Sequence, residues 1–188
     1  MRLFVAVPLP PDVGSAAAEA LPDIPALRRV RADLMHVTLA FLGGVPDERL
    51  DEVATAVTAA AHGATPFTIS LDGVGRFPPG GIPRVVWLGI VQGATEITNL
   101  AGSVRRALAA HQVPYDEKPF RAHVALGRVR ENADPESARA IASAVDRVRL
   151  PAISFTATEM VVFESSLSSK GPRYTARATV PLGAGGKS

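Results

Sequence analysis

Two histidines open near-identical tetrapeptides, His36-Val37-Thr38-Leu39 and His123-Val124-Ala125-Leu126. The chain has four histidines in all, so half of them fall at one place in a repeated apolar context. Imidazole has an ordinary pKa of about 6.5, which lets it take or give a proton near neutrality. A pair can divide that work. A neutral ring removes a proton from water, and an imidazolium gives one to a leaving oxygen. A hydroxyl such as Thr38 can donate a hydrogen bond to a phosphoryl oxygen, and a guanidinium can offset charge developing there. Arg128, five positions after His123, is the candidate guanidinium. A lone histidine in an apolar strand is more often structural than chemical. The matched pair in matched context reverses that reading. His62 and His111 fall at predicted helix ends and read as surface or capping residues. Two histidines with no third ligand at helical or hairpin spacing make a poor zinc signature, so no metal is expected. Gly73, Gly75, Gly80 and Gly81 match no nucleotide fingerprint and read as turn residues.

Strands must carry both motifs. Side chains i and i+2 of a strand share a face. His36 and Thr38 then face a cleft while Val37 and Leu39 enter the core. His123 and Ala125 repeat the arrangement over Val124 and Leu126. In a straight strand Arg128 would point away from His123, so it has to lie where the strand ends and bends. The remaining pattern predicts strands over 2–7, 35–42, 67–74, 84–91, 122–129, 154–163 and 174–180. Helices are predicted over 11–21, from an Asp47 N-cap to about 62, over 95–111, and from an Asp134-Pro135 start to about 148. Residues 75–83 and 164–172 read as loops. Several strands follow one another through short turns, which suits a mixed, largely antiparallel α+β fold. His123 follows His36 by 87 positions, about half the chain, and each motif strand precedes a helix. That weak repeat suggests two similar lobes around a groove.

At 188 residues, 47% hydrophobic and 20% charged, the chain has the composition of one globular domain. It has no cysteine, which excludes disulfides, thiolate zinc sites and cysteine nucleophiles. The apolar start is interrupted by Pro8, Pro10 and Pro11, and no segment reaches the ~18 apolar residues of a membrane span. A cytoplasmic, membrane-free protein is expected. Net charge is only +2, yet the basic residues cluster: Arg28, Arg29 and Arg31; Lys118, Arg121, Arg128 and Arg130; Lys170, Arg173 and Arg177. Clustered basicity is compatible with a phosphate-bearing ligand, although solvated surface charge explains any single cluster as well.

At these residues the chain resembles the two-histidine phosphoesterase superfamily, marked by paired His-x-Thr/Ser-x motifs. Within it, the sequence is similar to the RNA 2′,3′-cyclic phosphodiesterases, also called bacterial and archaeal 2′-5′ RNA ligases. The similarity covers most of the chain. It runs from Arg2-Leu3-Phe4-Val5-Ala6-Val7 through His36-Val37-Thr38-Leu39-Ala40-Phe41-Leu42-Gly43 and Val86-Trp87-Leu88-Gly89. It continues in Phe120-Arg121-Ala122-His123-Val124-Ala125-Leu126-Gly127-Arg128, Glu164-Ser165-Ser166-Leu167 and Gly171-Pro172-Arg173-Tyr174. The resemblance implies an α+β bilobal fold, residues 1–188 as a single domain, with two pseudo-symmetric lobes of mostly antiparallel sheet and outer helices around a central cleft. It implies hydrolysis of a 2′,3′-cyclic phosphate at an RNA 3′ end to a 2′-phosphate. No cofactor and a monomeric state are expected. His36 would protonate the departing 3′ oxygen and His123 would activate water. Thr38 would hold a non-bridging oxygen, with Arg128 as the basic residue after the second motif. Ala125 departs from the family, which usually has Thr or Ser there. One lost transition-state hydrogen bond costs about 2.7–4 kcal/mol unless replaced. The alternatives are a phosphoesterase acting on small cyclic nucleotides, a non-catalytic RNA-end-binding module, and a metal hydrolase.

Overall fold

The computed structural model describes residues 1–149, 152–169 and 171–183; Lys170 of the third basic cluster lies outside them. β1 (Arg2–Pro8) is buried from Leu3 to Val7 because strands flank it on both sides. α1 (Pro11–Glu19) starts on a proline, whose fixed φ and missing N–H suit a first helical turn. β2 (Leu27–Arg29) and β3 (His36–Gly44) follow, then α2 (Leu50–Ala60). β4 (Phe67–Phe77) and β5 (Val85–Gln92) form a hairpin that leads into α3 (Ala94–Ala110). β6 (His123–Val129) precedes α4 (Pro135–Arg147). Asp134 caps α4, its carboxylate accepting from the Glu136 and Ser137 N–H groups at 3.0 and 2.9 Å. β7 (Ile153–Ala157), β8 (Glu159–Ser168) and β9 (Gly171–Pro181) complete the described chain.

These strands form one antiparallel sheet in the order β7-β4-β5-β6-β3-β1-β8-β9, with β2 beside β6. The order is a mirror. Outward from the middle, β6-β5-β4-β7 matches β3-β1-β8-β9, and each half begins with a histidine strand. The halves meet at a single registered pair, Val37 opposite Val124. The expected lobes are thus two halves of one antiparallel sheet in an α+β fold. Thr158 alone joins β7, at one margin, to β8, near the other. One residue spans only a few ångströms, so the sheet is curled until these strand ends meet. Valines 37 and 124, Leu39 and Leu126 enter one core with Val53 and Val57 of α2, Ile97 and Leu108 of α3, and Ile141 of α4. The opposite face of β3 and β6 is left for a cleft.

Several local expectations need correction. Asp47 does not cap α2. It opens a 3₁₀ turn, and its carboxylate takes the Met1 ammonium at 3.2 Å. The run 154–163 is two strands broken at Thr158, because its two parts pair on distant sides of the sheet. The presumed loop 164–172 is mostly ladder, with Glu164 to Ser168 paired to Thr175 to Gly171. Gly75 continues β4 instead of starting a loop, since the Trp87 indole lies across the space a β-carbon would fill.

Candidate active site

β3 and β6 carry the same irregularity. Against β1, Thr38 pairs with Ala6 and Ala40 with Val5, which leaves Leu39 as an extra residue. Against β5, Ala125 pairs with Trp87 and Gly127 with Val86, which leaves Leu126 extra. Such a bulge resets the alternation of faces. In each strand two consecutive residues are therefore buried, Leu39-Ala40 and Leu126-Gly127. The side chain five positions after each histidine returns to the histidine face: Phe41 in β3 and Arg128 in β6. Sequence alternation turned Arg128 away and required a bend at the strand end. A bulge inside the strand does this work.

All five expected site residues, His36, Thr38, His123, Ala125 and Arg128, line one cleft of about 540 Å³. The antiparallel step around Val37 and Val124 brings Thr38 level with His123 and Ala125 level with His36. The two rings are held alike. His36 Nδ1–H donates to the Leu34 carbonyl at 2.7 Å, and His123 Nδ1–H donates to the Arg121 carbonyl at 2.7 Å. A carbonyl only accepts, so the proton of each neutral ring is on Nδ1 and Nε2 is the nitrogen available to the cleft. Aromatic rings wedge both imidazoles. Phe4 lies 4.9 Å from His36 and Tyr174 meets it edge-on at 5.5 Å. Phe77 meets His123 edge-on at 5.3 Å.

This setting disfavours charge on both rings. Burial pushes His36 down to about 4, against the pull of its Leu34 bond, and the His123 and Arg128 charges add to the effect. Burial also lowers His123, opposed by its Arg121 bond and aided by Arg128. The Arg128 charge thus acts on both rings. Each Nε2 lone pair can accept a proton or a hydrogen bond, while the guanidinium favours an anion in the cleft. Among the described residues no three His, Cys, Asp or Glu side chains converge as a metal site. No described helix is long and apolar enough to cross a membrane.

The cleft has further members that sequence reasoning missed: Phe41, Phe77, Tyr174, Ser165 and Arg2. Phe41 carried a signal, the same offset from its histidine that Arg128 has. Ser165 was hidden in the presumed loop, and its partner across β8 and β9, Tyr174, opened a predicted strand.

Residues 10–167 match the model of the 2′-5′ RNA ligase superfamily. An Archaeoglobus fulgidus protein named RNA 2′,3′-cyclic phosphodiesterase is 36% identical over 181 residues, covering 93% of this chain and 96% of its own. The Escherichia coli protein of the same name is 31% identical over 183 residues, covering 93% and 92%. Among solved structures, E. coli LigT complexed with 3′-AMP superposes with a TM-score of 0.74 at 28% identity, over 97% of this chain and 98% of that one. A Thermus thermophilus structure gives a TM-score of 0.77 at 28% identity, with the same coverage. With its paired histidine strands, mirrored sheet and family match over most of its length, the chain belongs to the 2′-5′ RNA ligase superfamily.

Proposed function

We propose that this protein is a hydrolase that opens 2′,3′-cyclic phosphate ends of RNA to 2′-phosphates. One observation carries the reading: two histidines, each tied through Nδ1 to the carbonyl two residues before it, open on one cleft together with Thr38 and Arg128. The names of the relatives supply the substrate class. In this reading both halves act as one domain, and one polypeptide supplies every group. The absence of cysteine suits a reducing, cytoplasmic setting.

His123 Nε2 takes a proton from water, whose oxygen bonds to phosphorus. The P–O3′ bond breaks, and His36 Nε2–H protonates O3′. The phosphate stays on O2′. Thr38 donates to a non-bridging oxygen, and Arg128 offsets the charge that grows there. Both rings are held neutral in the free protein, His36 most firmly. The donor ring therefore takes its proton from solvent as the substrate binds, because the buried phosphate anion favours an imidazolium beside it. With an RNA 5′-hydroxyl in place of water, the same displacement forms a 2′-5′ linkage. Ala125 favours a second reading, an end-binding module without turnover.

The test is incubation of an RNA ending in 2′,3′-cyclic phosphate with the protein and excess chelator, followed by assignment of the product phosphate by ³¹P NMR. A 2′-phosphate is expected. Tight binding with no product would favour the end-binding reading, and loss of product with chelator would favour a metal hydrolase.

A further inference from the structure

A groove of about 180 Å³ leaves the cleft and follows residues 113–122, which link α3 to β6. It shares Thr38, Phe41, Phe77, Asp116 and His123 with the cleft, so the two cavities are continuous. The linking segment is fastened in place. Asp116 N–H donates to the Phe41 carbonyl at 2.8 Å, and Arg105 Nη1 donates to the Lys118 carbonyl at 2.9 Å. The Asp116 carboxylate accepts from the Lys118 backbone N–H at 3.1 Å and from its ammonium at 3.0 Å. The outer wall of the groove is thereby set before a ligand arrives.

The groove is aromatic and cationic. Phe41 is 51% exposed although it extends from the central strand β3, and Phe77 stands with it where the cavities join. The Arg121 guanidinium lies 5.5 Å over the Phe77 ring. The Lys118 side chain is 84% exposed. One carboxylate faces the groove, that of Asp116, and it is committed to Lys118, whose two bonds hold it below the usual carboxylate range. An ammonium has three protons, so Lys118 retains donors for a second anion. Aromatic faces interleaved with cations are what single-stranded nucleic acid binds, by base stacking and phosphate contact. A cleft of about 540 Å³ is of a size to enclose a single small ligand. A longer strand must leave the cleft on its 5′ side, because its 3′ end is the reacting group.

We infer that this groove holds the RNA immediately 5′ of the reactive end, with a base against Phe41 and Phe77 and the internucleotide phosphate at Lys118 and Arg121. The inference rests on the RNA reading proposed above. It makes the enzyme selective for oligonucleotides over mononucleotides. The experiment compares kcat/KM for a dinucleotide ending in 2′,3′-cyclic phosphate with kcat/KM for a mononucleoside 2′,3′-cyclic phosphate. The wild type should prefer the dinucleotide by about tenfold or more, from one stacked base and one phosphate contact. Lys118→Gln should remove most of that preference, lowering kcat/KM for the dinucleotide by a larger factor than kcat/KM for the mononucleotide. Phe41→Leu, which keeps apolar bulk but loses the ring, should raise KM for the dinucleotide. Equal rates on both substrates in the wild type, or an undiminished preference in both variants, would overturn the inference alone. If the folded wild type turned over neither substrate, the proposed function would fall and the inference with it.

Discussion

At the scale of residues, the site is two imidazoles whose surroundings refuse a proton. Hydrolysis as drawn needs the pair to carry one proton, whichever ring holds it. The lower titration of the free pair lies near the value of about 4 for His36, and burial brings the upper one below the ordinary 6.5. As pH rises through the upper value the pair loses its only proton, and kcat/KM should fall tenfold per unit. As pH falls through the lower value the base is filled, and kcat/KM should fall again. The bell for a cyclic phosphodiester should therefore lie on the acid side of pH 6.5. A steady-state profile with its alkaline limb above pH 7 would contradict the burial argument. The asymmetry of the motifs gives a second expectation. Thr38 is the only motif hydroxyl, because Ala125 supplies none. Thr38→Ala should lower kcat by about 10²–10³, the usual effect of removing one oxyanion donor, with KM little changed. Ala125→Thr should raise kcat if the second hydroxyl reaches the same phosphoryl group, which single-turnover rates would reveal.

At the scale of elements, the matched bulges of β3 and β6 set the site. Gly127 forms part of the second one. A β-carbon there would lie 2.8 Å from Leu27 Cγ, on a buried side chain of β2. Gly127→Ala should cost about 1–3 kcal/mol by overpacking and should also slow turnover by displacing Arg128. In urea melts, Leu27→Ala combined with Gly127→Ala should be less destabilising than the sum of the two changes; simple additivity would show that the contact is not the cause. This element also shows what the sequence could reveal. The inward and outward faces at His36 and His123 were legible because strand side chains alternate from residue to residue. The orientation of Arg128 was not, because the extra residue is fixed by register against β5. Gly127 within the strand was its only local sign. In 154–163 the alternation fails at Thr158-Glu159, a sign of the break that the strand-like run masked, and its partners, β4 for one part and β1 with β9 for the other, show why it is there. The Asp134 cap was legible because it is wholly local. Asp47 was not, because it answers an ammonium 46 positions away.

At the scale of the molecule, a mirrored sheet brings two motifs 87 positions apart onto adjacent strands that share a single registered pair. The weak internal repeat and the mixed antiparallel class were readable from element order. The curl that brings β7 to β8 was not, since it arises from long-range pairing. The two rings must act on one phosphorus as a unit. The most direct measurement is turnover of an RNA 2′,3′-cyclic phosphate by His36→Ala, by His123→Ala and by the double variant, with folding checked by circular dichroism. Each single variant should lose nearly as much activity as the double, since groups that work together are not additive. Independent, multiplying losses, or full activity in either single variant, would contradict the account.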